Sequence, residues 1–192
     1  QSVDREVLQT RKSVGVCDVT TLGKVDVQGK DAASFLNLIY CNGFAKLAVG
    51  KTRYGLMLRE DGIAMDDGTA ARLEENHFVV TTTTANAVLV YRHMEFVRQC
   101  LFPKMDVQLI STTEAWAQFA IAGPNSRNVI RKIVDEEYDI SNEGFPFMAC
   151  GQITVCGGLR ARLFRISFSG ELAYELAVPT RYGDSLMREI MK

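Results

Sequence analysis

A short pattern of strand, glycine and amphipathic helix occurs twice in this chain, and this internal repeat restricts the possible folds more than any other feature. The first copy spans residues 24–39 and the second spans residues 119–133. In both, apolar residues lie six, seven and ten positions after a glycine, Gly29 or Gly123, at an offset of 94 residues (123 minus 29). This spacing predicts a helix with one buried face after each strand, and Asp31 is predicted to cap the first helix.

The elements that follow each copy also correspond. The full pattern, which is complete in the first unit, is strand, helix, strands, helix and strand, and this order is typical of ferredoxin-like packing. We therefore predict an α+β fold of two ferredoxin-like βαββαβ units: an inserted unit at 23–110, and a second unit made of 1–22 and 111–192. The second unit is expected to be truncated and to leave a sheet edge uncovered, because no strand follows its last helix. That expectation indicates a fragment of a longer polypeptide.

Two adjacent carboxylates, Asp66 and Asp67, lie within an apolar strand pattern. Asp-Gly at 61–62 separates two strand-like runs, 54–58 and 63–73, which predicts a hairpin. Because side chains alternate along a strand, the two carboxylates should point to opposite faces and should not act as one dyad.

The same alternation predicts different surroundings for the two acids. Asp67 is expected to share a face with Ile63 and Met65 and to be partly desolvated. Asp66 is expected on the other face with Arg72, which could pair with it.

A second pair of carboxylates, Glu171 and Glu175, falls on one face of a later strand if the pairing is regular. A carboxylate can accept two parallel hydrogen bonds from an amidine-like edge, such as that of a pterin. A surface glutamate on an edge strand is the alternative, and the residues alone leave both interpretations open.

Composition excludes several classes of function. The chain has 192 residues, a net charge of −1 and 47% hydrophobic residues, which does not indicate a nucleic-acid or membrane surface. No apolar run is long enough to cross a bilayer and the first residues are charged, so the cytoplasm is the expected location.

Metal and nucleophile chemistry find no support in the residues. The five cysteines form no CxxC pair and are expected to be reduced core thiols. His77 and His93 have no second ligand at metal spacing, so no metal site is predicted. The segment 45–52 fits a loose phosphate-binding loop, but a strand rather than a helix is predicted to follow it.

Several motifs, taken in order, resemble a known family. They are Val16–Leu22, Tyr54–Leu58 with Asp61–Asp67, Ile121–Pro124 and Ser167–Glu175. As an ordered set they resemble the folate-dependent aminomethyltransferases, the T-proteins of glycine cleavage. The resemblance is greater to the sarcosine oxidase branch at three places: Thr21-Leu22, Asp61 and the run of threonines at 81–84. The alpha subunits of that branch contain a folate-binding region of this kind.

The resemblance implies roles for individual residues. Asp67 would face N10 of folate as the catalytic group, with Asp66 as the second catalytic candidate. Glu175 would hold the pterin, and Phe168 stands where T-proteins have tyrosine. The residues assigned to the folate pocket are Glu175, Tyr54, Leu22, Phe168, Tyr174 and Glu171. A pterin-binding arginine of the family would lie beyond Lys192.

The resemblance also implies a function. The segment would bind tetrahydrofolate and pass the one-carbon unit of oxidised sarcosine to it, giving 5,10-methylenetetrahydrofolate. Flavin (FAD or FMN) and NAD are expected only elsewhere in the parent complex, since no GxGxxG fingerprint occurs here. Other sarcosine oxidase subunits are the expected partners. The alternatives are a glycine cleavage T-protein and a catalytically silent folate-binding or structural module.

Overall fold

A computed structural model of the chain describes residues 2–192. Within this range the helices are α1 (Ser2–Lys12), α2 (Ala32–Ile39), α3 (Ala87–Phe96), α4 (Ser126–Arg131) and α5 (Gly183–Ile190). The strands are β1 (Gly15–Asp18), β2 (Gly23–Gln28), β3 (Lys51–Leu58), β4 (Ala64–Glu74), β5 (His77–Thr82), β6 (Gln108–Ser111), β7 (Trp116–Ala122), β8 (Cys150–Val155), β9 (Leu159–Phe164) and β10 (Ala173–Pro179). A π-helical segment, Val97–Leu101, continues α3.

The chain divides into two compact units. The inserted unit is Thr21–Glu114, and the flanking unit combines the residues up to Thr20 with Ala115–Lys192. The sequence placed the two junctions near residues 22 and 110.

Each unit contains one antiparallel sheet, and the two sheets have the same strand order. The inserted unit is ordered β6-β2-β5-β4-β3 and the flanking unit β1-β7-β10-β9-β8. The mixed α+β class with two related sheets is therefore confirmed. The strand that begins the repeated pattern is the second strand of its sheet in both units: β2 in the inserted unit and β7 in the flanking unit.

The sheet edge that was expected to be open in the flanking unit is occupied by β1. This strand pairs antiparallel with β7, from Gly15 opposite Ala122 to Asp18 opposite Phe119. It takes the place that β6 has beside β2 in the inserted unit. A strand that precedes the repeat therefore supplies the hydrogen bonds at this edge. The sequence pattern had instead placed the missing edge strand after the last helix.

The turn between the first strand and the first helix has the same geometry in both units. Gly29 has a φ of 131° and Gly123 a φ of 130°. A Cβ at Gly29 would lie 2.1 Å from the carbonyl oxygen of Asp106, and one at Gly123 would lie 2.2 Å from that of Ser13. Both backbone conformation and space therefore require glycine at the repeated position.

Asp31 occupies the N-cap position of α2 but does not cap it with its side chain. Its carboxylate instead accepts a hydrogen bond from the backbone N–H of Asp106, at 2.8 Å. The sequence identified the position correctly, but the partner lies in a segment 75 residues away.

A hydrophobic core covers one face of each sheet. In the inserted unit it includes Val25, Phe35, Leu36, Met57, Phe78, Val80, Val90 and Met94. In the flanking unit it includes Phe119, Ile121, Ile130, Leu163, Tyr174, Leu176, Val178 and Leu186. The sheet face opposite the core of each unit is called the second face below.

The cysteines differ from expectation. All five are free thiols, but Cys17, Cys41, Cys100 and Cys156 are exposed and Cys150 alone is buried. Cysteine is buried more often than most residue types, but this is only a statistical tendency. The position of each residue in the fold decides its exposure, and these four positions lie outside the two cores.

Candidate functional site

The hairpin that carries the two aspartates forms as predicted. β3 and β4 pair antiparallel, with Leu56 opposite Asp67 and Met57 opposite Asp66. The turn closes through a hydrogen bond from the Arg59 N–H to the Ile63 carbonyl, at 2.8 Å.

The two aspartates lie on opposite faces of β4. Asp66 is 6% exposed, whereas Asp67 is exposed. A bulge beside Met57 leaves Met65 without a cross-strand partner, and Met65 packs against the core. Ile63 precedes the strand and is 58% exposed. The expectation that these two apolar side chains desolvate Asp67 was therefore wrong, because the bulge interrupts the regular alternation.

Asp67 forms a pair with Tyr54 on the second face. The Tyr54 hydroxyl donates to Oδ2 of Asp67 at 2.9 Å. Tyr54 lies on the neighbouring strand, two positions from the residue opposite Asp67, and its side chain is half exposed. The hydrogen bond to the Asp67 carboxylate raises the pKa of the Tyr54 phenol, because it favours the protonated form.

Asp66 accepts hydrogen bonds from the turn that precedes α3. Oδ1 accepts from the Thr83 hydroxyl at 2.6 Å and from the Asn86 amide at 3.1 Å. Oδ2 accepts from the Thr83 backbone N–H at 3.1 Å. These partners were not found from the sequence, although a polar run directly after a strand was their signal.

Arg72 does not serve as the partner of Asp66. Its guanidinium donates to the Leu47 carbonyl and to the carbonyl and carboxylate of Glu75. Six residues along one strand separate Arg72 from Asp66, which corresponds to roughly 20 Å. A shared face therefore does not bring the two charges together.

The threonine run makes structural contacts at the end of β5, where its regular pairing with β4 stops. The Thr81 hydroxyl lies 2.8 Å from the Thr69 hydroxyl and accepts from the Thr69 N–H at 3.1 Å. The Thr84 hydroxyl lies 3.1 Å from that of Thr21. Leu22, which follows Thr21, is half-buried, and its carbonyl accepts from the Lys24 ammonium at 3.0 Å.

Glu175 lies on the second face of the flanking unit. It is half-buried on β10, opposite Ala120 of β7 and Phe164 of β9. The Gln118 side-chain amide donates to Oε2 of Glu175. The same face carries Arg162, whose guanidinium lies over the Trp116 ring at 4.2 Å from its centroid.

Three other candidates lie elsewhere. Glu171 precedes β10 and bonds to the guanidinium of Arg11 at 2.9 Å, so it does not share the strand face of Glu175. Phe168 is fully exposed in the loop before β10. Tyr174 is buried in the core, and its hydroxyl accepts from Arg127 at 2.9 Å. The single-residue alternation on β10 turns Tyr174 away from Glu175.

Neither a cluster of possible metal ligands nor a membrane-spanning helix occurs among the described residues. No group of three or more histidine, cysteine or acidic residues in 2–192 is arranged to hold a metal ion. None of the helices in this range is long and apolar enough to cross a membrane.

Sequence comparison identifies several relatives. The chain is 58% identical over 193 residues to a sarcosine oxidase subunit alpha from Rhizobium meliloti, covering 100% of this chain and 19% of the relative. It is 31% identical over 179 residues to an aminomethyltransferase from Thermus thermophilus, covering 91% of this chain and 48% of that protein. The chain thus spans about a fifth of the alpha subunits and about half of the aminomethyltransferases that it matches.

Solved structures show the same fold. Aminomethyltransferase T of the glycine cleavage system from Bartonella henselae matches with a TM-score of 0.82 at 24% identity, over 97% of this chain and 48% of that one. A chain of heterotetrameric sarcosine oxidase from Corynebacterium sp. U-96 matches with a TM-score of 0.69 at 11% identity, over 99% of this chain and 90% of that one. The family model described as the GCVT N-terminal domain matches residues 1–192, and the chain therefore belongs to that family.

Proposed function

We propose that this chain is the tetrahydrofolate-dependent part of a sarcosine oxidase alpha subunit and transfers the one-carbon unit of oxidised sarcosine to tetrahydrofolate. The proposal includes the cytoplasm as its compartment and other sarcosine oxidase subunits as its partners. The 58% identity to an alpha subunit over the whole chain supports this branch of the family. Flavin and NAD would act in other parts of the complex.

The Tyr54–Asp67 pair is the observation that carries the proposal. The pair is open to solvent on the second face of its sheet, and the Tyr54 hydroxyl fixes one carboxylate oxygen. Among the described residues, none donates to the other oxygen, Oδ1. A carboxylate held in this way fits a ligand that presents an N–H group.

The proposed chemistry assigns one proton-handling step to Asp67. Tetrahydrofolate, when bound, supplies the two nitrogens that the methylene group bridges in the product. The exchange balances because the methylene group leaves the nitrogen of oxidised sarcosine and replaces the two N–H hydrogens of tetrahydrofolate. Those two hydrogens pass to the released nitrogen, which becomes the amino group of glycine. Asp67 would accept the proton that the attacking folate nitrogen loses as its new bond to carbon forms, and would stabilise positive charge beside it.

Glu175 is proposed to bind the pterin. Its carboxylate lies on the second face of the flanking unit, and the Gln118 amide orients it. A pterin edge offers the parallel amino and ring N–H donors that a carboxylate accepts. Tyr54 and Leu22 are proposed as further pocket residues. Phe168 is exposed, Glu171 is bound to Arg11 and Tyr174 lies in the core, so these three residues are proposed to contribute to the folate pocket only indirectly.

The experiment measures trapped 5,10-methylenetetrahydrofolate against released formaldehyde during sarcosine turnover by the full-length enzyme. Asp67→Asn should still bind tetrahydrofolate but should slow methylene transfer by about a hundredfold. Glu175→Ala should instead weaken tetrahydrofolate binding by about tenfold to a hundredfold, as expected for a charge-assisted hydrogen bond. Sarcosine oxidation itself should be unchanged in both variants.

Two results would contradict the proposal. Trapping in Asp67→Asn at the wild-type rate would remove the catalytic role of Asp67. Wild-type enzyme that binds no tetrahydrofolate would favour a structural module. A glycine cleavage T-protein is the second candidate, supported by the 31% identity to an aminomethyltransferase. Transfer from an aminomethylated lipoyl protein would establish that candidate.

A further inference from the structure

We propose that Asp66 is a positioning residue: its buried carboxylate fixes the turn at Thr83–Asn86 and, through that turn, the Thr21–Leu22 segment. The link to Leu22 as a pocket residue rests on the proposed function. The effect on the turn does not, and it can be tested without a ligand.

The first step in the case for Asp66 is the place where the regular backbone pairing between β4 and β5 ends. Ala70 still pairs with Val80, but the preceding N–H on β4, that of Thr69, bonds to the Thr81 hydroxyl. Side chains therefore replace backbone groups at this end of the two strands. Asp66 lies three residues further along β4, and its carboxylate bonds to the turn that follows β5.

The second step is the chemistry of the carboxylate. Thr83 N–H, the Thr83 hydroxyl and the Asn86 amide all donate to Asp66, which is 6% exposed. An ionised carboxylate only accepts hydrogen bonds, so it satisfies all three donors. An asparagine would direct its own N–H₂ towards one of them and leave a buried donor unsatisfied.

The third step is transmission within the inserted unit. Asn86 lies at the N-cap position of α3, and its amide also donates to the Met65 carbonyl at 3.1 Å. Thr84, inside the same turn, contacts the Thr21 hydroxyl at 3.1 Å. The carboxylate therefore fixes both the start of α3 and the segment that leads into Leu22. Asp67, one residue later, lies on the other face of the strand.

Amide hydrogen exchange on the full-length protein without ligand tests the first part. In Asp66→Asn, exchange in the 83–86 turn and at 21–22 should be at least about tenfold faster than in the wild type, because local opening becomes easier. Exchange of the core strand β2 at 25–27 should be unchanged. Asp61→Asn removes the same charge from the exposed hairpin turn and serves as the control, with wild-type exchange expected in 83–86.

A milder variant guards against global unfolding. Thr83→Val keeps the shape of the side chain and removes the hydroxyl donor, so it should loosen the same turn. Combining it with Asp66→Asn should add little, because the two changes remove one shared contact. Wild-type exchange in 83–86 in both single variants would overturn the inference.

The second readout separates positioning from catalysis. Asp66→Asn should weaken tetrahydrofolate binding by about tenfold, while methylene transfer at saturating folate stays near the wild-type rate. Asp67→Asn should show the opposite combination. A rate at saturation as low as in Asp67→Asn would overturn the positioning role and make Asp66 catalytic. If the wild type binds no tetrahydrofolate, the proposed function fails, while the exchange experiment still decides the effect of Asp66 on the turn.

Discussion

The two units of this chain share a scaffold but differ on their second faces. Their sheets have the same strand order, and the residues before α2 and α4 have the same φ of −97° and ψ of 6°. On the second face, the inserted unit presents the exposed Tyr54–Asp67 pair. The flanking unit presents Arg162 stacked on Trp116, and Glu175 held by Gln118. The core and its turns are thus repeated, whereas the polar chemistry has diverged on the opposite side.

The largest effect should come from filling the repeated glycine position. Gly29→Ala and Gly123→Ala each combine a φ near 130° with a Cβ about 2 Å from a carbonyl oxygen. The backbone strain and the forced shift together should cost roughly 2–5 kcal/mol in the free energy of unfolding of each variant. Denaturant unfolding of the full-length protein measures it.

Gly62 and Gly157 provide matched controls, one in each unit. Both have a φ of 81°, but a Cβ there meets nothing within 4 Å. Their alanine variants should lose only about 1 kcal/mol, the cost of the conformation alone. If Gly123→Ala were as mild as Gly157→Ala, the two repeated turns would not be equivalent in energy.

Much of this scaffold could be predicted from the sequence. The offset of 94 residues between the glycines located both strand–helix units, and Asp61-Gly62 located the hairpin. These signals are local, because helix periodicity and turn chemistry depend on neighbouring residues. The pairing of β1 with β7 could not be predicted in this way, since its partners are about 100 residues apart and β1 has only four residues.

The candidate site was less predictable than the fold. Alternation correctly separated Asp66 from Asp67, but a one-residue bulge moved Met65 to the core side and left Asp67 exposed. Glu171 lies before the start of β10, so the alternation of side chains along the strand does not reach it. The prediction that Glu171 shares a face with Glu175 was therefore wrong. The partners of Asp66, Thr83 and Asn86, depend on where β5 ends, and sequence patterns locate the ends of elements poorly.

A smaller effect should distinguish the two residues that precede α2 and α4. Asp31 accepts a 2.8 Å hydrogen bond from the Asp106 N–H, whereas the Asn125 amide lies 3.5 Å from the Ser13 hydroxyl. Asp31→Ala should therefore cost about 0.5–1.5 kcal/mol, and Asn125→Ala less than about 0.5 kcal/mol. Asp31→Asn retains an acceptor and should lie between them. Equal losses in the two alanine variants would show that side-chain contacts do not distinguish the repeated turns.

The smallest effect concerns the second face of the inserted unit and appears as a change in titration. The hydrogen bond from Tyr54 to Asp67 raises the pKa of the phenol above its ordinary value of 10.0. In Asp67→Asn the charged acceptor is lost, so the pKa of Tyr54 should fall back towards that value. Ultraviolet absorbance of the phenolate, with the Tyr54→Phe titration subtracted, isolates this residue. Because the raised pKa belongs to the folded protein, the small stabilisation by the pair should be present below pH 10 and should disappear as the pH rises through the pKa of Tyr54. An unchanged Tyr54 titration in Asp67→Asn would mean that the two side chains do not interact in solution, and the main polar contrast between the two second faces would then be lost.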